Sequence, residues 1–208
     1  MAPGALYDVP VTTIMGEQKP FGEFSRGKVA LVVNTASACG LTPQYAGLEE
    51  LYQRFSSRGF TVIGFPCNQC VLPPPAARAC QNERACARGP CGGASATRAA
   101  RSPAPSLSCL RRFGGQAPGD SAAEESFACT KYKTTFQMMA KVDVNGAKEA
   151  PLWKALKDAK GSMLGRDIKW NFAKFLIARD GTVIERYLPT TSPSSIAADI
   201  DKLLGASA

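Results

Sequence analysis

The sequence predicts an α/β fold: a central mixed sheet flanked by helices, in one domain spanning residues 1–208. Two observations predict it. The apolar, β-branched run at Lys28–Asn34, the amphipathic stretch at Pro43–Ser57 and a second apolar run at Phe60–Pro66 come in the order strand, helix, strand, which makes a parallel crossover. Further on, Trp170–Ala178 and Thr182–Tyr187 flank Arg179-Asp180-Gly181-Thr182, a hairpin turn signal, so the sheet also contains an antiparallel pair.

The elements follow in chain order. Val9–Met15 reads as a short strand entering a turn at Gly16-Glu17, and Phe21, Phe24 and Gly27 lead into the central strand. Val29, Ala30, Leu31, Val32 and Val33 form a run with no polar alternation, the mark of a strand buried on both faces. Asn34–Cys39 turns the chain, Pro43 suits a first helical turn, and Leu48, Leu51, Tyr52 and Phe55 repeat at helical spacing up to a C-cap at Arg58-Gly59. Phe60–Pro66 is a second buried strand. Asp120–Thr130 reads as a helix with Asp120 or Ser121 at its N-cap and Glu124-Glu125 in its first turn. Phe136–Val144 is expected to be a third strand, Pro151–Lys160 a helix carrying Leu152, Trp153 and Leu156, Trp170–Ala178 a fourth strand, and Ser194–Leu204 a closing helix with Ile196 and Ile200 on one face.

Composition narrows the chemistry. The chain has 208 residues, of which 45% are apolar, and no histidine, so serine–histidine triads, histidine metal ligands and histidine general bases are excluded. Met1–Gly16 lacks a basic stretch and is broken by Asp8, which predicts no signal peptide, and no run is apolar enough to span a bilayer. Eight cysteines without a secretion signal predict a reducing compartment, taken here as the cytoplasm, and thiol chemistry rather than structural disulfides. Cys39 lies where a strand gives way to a helix, and helix N-termini offer unpaired N–H groups that stabilise a thiolate.

Cys70–Arg112 is unlike the rest. It holds ten Ala, seven Arg, six Pro, no aromatic residue and a single acid, Glu83, so most of the net charge of +8 falls there. With only Val71, Leu72, Leu107 and Leu110 as branched aliphatics, it cannot bury enough surface to offset ordering entropy, and it is expected to be a disordered insertion. Its Ala/Arg/Pro/Gly bias is what GC-rich non-coding DNA yields in frame, so it reads as a retained, translated intron. Its cysteines, at 70, 80, 86, 91 and 109, lack CxxC spacing and predict no metal site; its arginines lack stacking aromatics and predict no nucleic-acid partner.

Five motifs, NTASACGLTPQY, GFPCNQ, FGGQAPG, KVDVNG and KWNFAKFLI, occur in this order over Met1–Gln69 and Phe113–Leu204, and with them the chain resembles the glutathione peroxidase family, in its non-selenium, thioredoxin-dependent subgroup. The resemblance implies a thioredoxin-like fold and a catalytic tetrad of Cys39, Gln116, Trp170 and Asn171, with Cys39 the peroxidatic thiol. An indole and two carboxamides would supply N–H donors to the thiolate and the peroxide. Position 42 is Thr, so no local CxxC pair exists, and the resemblance assigns Cys129 in FACTKYK as the resolving thiol; Cys67 receives no role. It further implies hydrogen peroxide and organic or lipid hydroperoxides as substrates, thioredoxin or glutathione as reductant, no cofactor, no membrane partner and, from the short link before Trp170, a monomer. The alternatives are a thiol redox sensor-relay and a peroxidase weakened because the insert, which splits a motif that family members run as NQFGGQ, displaces Gln116.

Overall fold

A computed structural model describes residues 4–69, 115–162 and 165–205. The expected disorder of Cys70–Arg112 lies outside the described residues. A small antiparallel pair, β1 (Pro10–Thr12) and β2 (Gln18–Pro20), precedes a short helix α1 (Gly22–Ser25). The main chain path then runs β3 (Val29–Thr35), α2 (Gln44–Phe55), β4 (Phe60–Pro66), α3 (Ser121–Tyr132), β5 (Gln137–Met138), α4 (Pro151–Ala159), β6 (Lys174–Ile177), β7 (Val183–Tyr187) and α5 (Pro193–Gly205).

The main sheet has the order β5-β4-β3-β6-β7. β3 pairs parallel with β4, β4 parallel with β5, and β6 antiparallel with both β3 and β7, so the sheet is mixed as expected. β3 is buried throughout, and the pleat divides it between two cores. Val29, Leu31 and Val33 face a layer containing Leu48, Phe55 and Ile196 from α2 and α5, while Ala30 and Val32 face Leu152, Trp153 and Leu156 from α4. The second core is keyed by Trp153, whose ring meets Phe65 and Phe175 edge-on at 5.9 Å each.

Three sequence expectations are corrected. The strand expected over Phe136–Val144 is regular only at Gln137–Met138. Beyond it the ladder is interrupted: Met139 N, Ala140 N and Val142 N still donate to the backbone oxygens of Gly64, Thr12 and Pro66, but Lys141 N donates to Ser121 Oγ, and Val144 N and Asn145 N donate to Gln69 Oε1. The strand expected from Trp170 begins only at Lys174, because Phe172 takes φ +67, which no strand accommodates. The strand expected over Val9–Met15 is reduced to Pro10–Thr12 and pairs with β2, which was not foreseen. By contrast the helix ends match: Asp120 Oδ1 accepts from Ala123 N as N-cap of α3, and Gly59 takes the left-handed φ of +88 that ends the α2 region.

Lys174 on β6 is fully buried and donates from Nζ to Pro189 O at 3.3 Å and Thr191 O at 2.7 Å. Burial pushes its pKa down from 10.5 to about 7. Above pH 7 the unfolded chain therefore holds more protons here than the folded one, and stability rises with pH. Below pH 7 the full cost of burying the charge is present. Between pH 6.5 and 8.5 the rise should be roughly 1–2 kcal/mol, and Lys174→Met should remove it, as denaturant titrations at the two pH values would read. Above pH 9 the sign reverses for the buried Cys67 thiol, which burial pushes up to about 11, so the folded chain keeps a proton the unfolded chain loses.

Candidate active site

The site is built at the carboxyl ends of β3 and β4, where the chain after each parallel strand must leave the sheet. Because β6 runs antiparallel to β3, the segment before β6 arrives at the same edge. Three loops therefore converge: Ala36–Thr42 after β3, residues 115–120 before α3, and Ile168–Ala173 before β6.

Cys39 lies within the first loop. It is 7% exposed, which leaves the sulfur close to the surface but shielded. Thr42 Oγ1 accepts from Cys39 N at 2.9 Å and donates to Ala36 O at 2.9 Å, so one hydroxyl pins the loop on both sides of the thiol. Leu41 N donates to Cys39 Sγ at 3.4 Å, and the indole Nε1 of Trp170 donates to it at 3.2 Å. Two N–H groups thus point at one sulfur, the arrangement that stabilises a thiolate without a histidine.

Asn171 is fully buried and donates from Nδ2 to Gln116 Oε1 at 3.2 Å, while its own Oδ1 accepts from Asn34 Nδ2 at 3.3 Å. With its oxygen engaged, Gln116 has its NH₂ group to offer to a substrate. The backbone of Gln116 is anchored to the thiol loop, since Ala38 N donates to Gln116 O at 2.8 Å. All four residues of the expected tetrad are therefore brought to one place. The alternative in which the insert displaces Gln116 is not better supported, since Gln116 is bonded to both Asn171 and the Cys39 loop. Asn68 Oδ1 accepts from Ala117 N at 2.8 Å, which ties the chain before residue 70 to the chain after residue 114.

Cys129 lies elsewhere in kind. It is exposed in the last turns of α3, where its Sγ donates to Thr134 O at 3.5 Å, and it makes no disulfide. Cys67 is fully buried behind the site, with Gln69 N donating to its Sγ at 3.3 Å.

Two positioning residues were not foreseen. Asn34 accepts from Phe172 N through its backbone oxygen at 2.6 Å and from Ala173 N through Oδ1 at 2.9 Å, and donates from Nδ2 to Trp170 O at 3.2 Å. These bonds hold Phe172 in its left-handed conformation, which costs about 1–3 kcal/mol, and so aim Trp170 toward Cys39 and Asn171 toward Gln116. A polar residue closing an otherwise apolar strand was the signal. The second is Glu124, 2% exposed, which the sequence offered only as a charge in a first helical turn.

A family model described as "Glutathione peroxidase" matches residues 6–78 and 106–157, so the match breaks inside the segment that composition sets apart. The Arabidopsis thaliana protein named "Probable phospholipid hydroperoxide glutathione peroxidase 6, mitochondrial" is 39% identical over 99% of this chain and 70% of its own. Among solved structures, the crystal structure of Trgpx in apo form has a TM-score of 0.64 and 32% identity over 98% of this chain and 97% of that one. A thiol:disulfide interchange protein of the thioredoxin family from Chlorobium tepidum has a TM-score of 0.58, covers 99% of both chains and, at 13% identity, establishes the thioredoxin-like fold alone.

Proposed function

The chain belongs to the glutathione peroxidase family and is a hydroperoxide-reducing thiol peroxidase, and from that premise we propose how its own residues divide the work. Cys39 is the peroxidatic nucleophile. Its thiolate attacks one oxygen of the hydroperoxide, the O–O bond breaks, and the second oxygen leaves with the electron pair, takes a proton and departs as water or alcohol. Cys39 is left as a sulfenic acid. The observation that carries this assignment is the Trp170 Nε1 donor 3.2 Å from Cys39 Sγ, reinforced by Leu41 N. Gln116 and Asn171, linked at 3.2 Å, supply the amide donors that orient the peroxide and stabilise the leaving oxygen.

Cys129 is the resolving thiol. It attacks Cys39 Sγ, forms the disulfide and releases water. Because its Sγ is engaged with Thr134 at the end of its own helix, the last turns of α3 unwind to deliver it. A reduced dithiol then restores both thiols by exchange. Thioredoxin is the preferred donor over glutathione, the substrates are hydrogen peroxide and organic or lipid hydroperoxides, and the enzyme acts as a monomer in the cytoplasm.

Trp170→Phe tests the assignment, because it keeps the ring and removes only the N–H. The second-order rate constant for hydrogen peroxide, followed through thioredoxin and NADPH consumption, should fall roughly 10- to 100-fold. A rate within twofold of the parent would contradict the role given to the indole.

A further inference from the structure

We propose that Glu124 is a positioning residue that locks the loop carrying Cys39 to the loop carrying Gln116. The inference rests on Cys39 being the peroxidatic thiol. Glu124 Oε2 accepts from Ser37 N at 3.1 Å, and Oε1 accepts from Ser37 Oγ at 2.8 Å and from Gly119 N at 3.2 Å. Ser37 is two residues from Cys39, and Gly119 is three from Gln116. One buried carboxylate thus spans both catalytic loops from the first turn of α3, the helix that also carries Cys129.

Two neighbours make the bridge specific. Gly119 lies so close to α3 that a Cβ on it would come within 2.8 Å of Ala123 Cβ, so this loop can approach the carboxylate only with glycine there. Lys141 Nζ donates to Ala117 O and to Gly119 O, the latter at 3.0 Å, placing a cation on the same loop. An ionised carboxylate is acceptor-only and can serve all three donors at once. An amide in its place must turn its NH₂ toward Ser37 N–H or Gly119 N–H, so at least one of the three bonds becomes a donor–donor clash and the bridge loosens.

The rate of Cys39 oxidation measures the effect. The full chain is mixed with one equivalent of hydrogen peroxide, quenched with iodoacetamide and followed by mass spectrometry of the Cys39 peptide. Glu124→Gln should slow the loss of alkylatable Cys39 by about tenfold or more, since displacements near 1 Å carry penalties of that order. Ser37→Ala, which deletes one of the three bonds and no charge, should slow it by a smaller factor and keeps the test open should Glu124→Gln not fold.

A second readout separates positioning from mere stability. Deleting a negative charge eases thiolate formation and lowers the pH midpoint of Cys39 alkylation; releasing Cys39 from the Trp170 donor raises it. Positioning predicts that the midpoint of Glu124→Gln rises. Wild-type oxidation rates in both variants, or a midpoint that falls or stays, would overturn the proposal. Oxidation of a different cysteine in the unmutated protein would instead remove the premise on which it rests.

Discussion

Cys39→Ser should abolish peroxide reduction, lowering turnover with thioredoxin by more than about 10³-fold. Serine nearly preserves the volume, and the hydroxyl can still meet the Trp170 and Leu41 donors, so the fold should survive with an unchanged thermal midpoint. What is lost is the nucleophile: a hydroxyl ionises far less readily than a thiol, and the family's chemistry depends on sulfur's ability to hold the transferred oxygen. The measurement is peroxide consumption by the purified full-length variant. Activity retained above a few per cent would place the reacting sulfur elsewhere among the eight cysteines.

Cys129→Ser should behave differently, and the difference is what identifies a resolving thiol. The variant should consume one equivalent of hydroperoxide at the parent rate, because Thr42, Leu41 and Trp170 hold the Cys39 backbone and sulfur. Sustained turnover with thioredoxin should then fall at least about tenfold, since a tethered thiol is replaced by a bimolecular encounter. Single-turnover and steady-state assays on the same sample separate the two phases. Full steady-state activity would mean that another thiol resolves Cys39.

The fold was legible where one rule dominates. Lys28–Asn34, Pro43–Ser57 and Phe60–Pro66 were read within a few residues of β3, α2 and β4, because continuous burial and helical spacing leave few alternatives. Asp120 capping α3 was equally direct. Legibility failed where side chains take over from the ladder. Periodicity cannot register that Gln69 and Ser121 accept from the backbone beyond Met138, nor that Asn34 holds Phe172 at φ +67 and delays the start of β6.

The site shows the same division. Cys39, Gln116, Trp170 and Asn171 were named from motifs, and the structure brings them together. The residues that hold them there were read as something else. Thr42 was noted only as the thiol that is not there, yet its hydroxyl fixes the Cys39 backbone. Glu124 was noted only as a helix-terminal charge, because nothing in a helical pattern reveals that its carboxylate is buried against two loops. The alternative in which the insert displaces Gln116 weighed loop length, while Asn68 closing across the junction onto Ala117 could not be seen from composition.

All of this depends on which sulfur meets the peroxide. Cys129→Ser protein treated with one equivalent of hydrogen peroxide in the presence of a sulfenic-acid-trapping diketone, digested and mapped by mass spectrometry, reads that directly. The adduct should fall on Cys39, and adding Trp170→Phe should slow its appearance. An adduct on Cys67 or on a cysteine of the Cys70–Arg112 segment, with Cys39 still a thiol, would contradict the assignment.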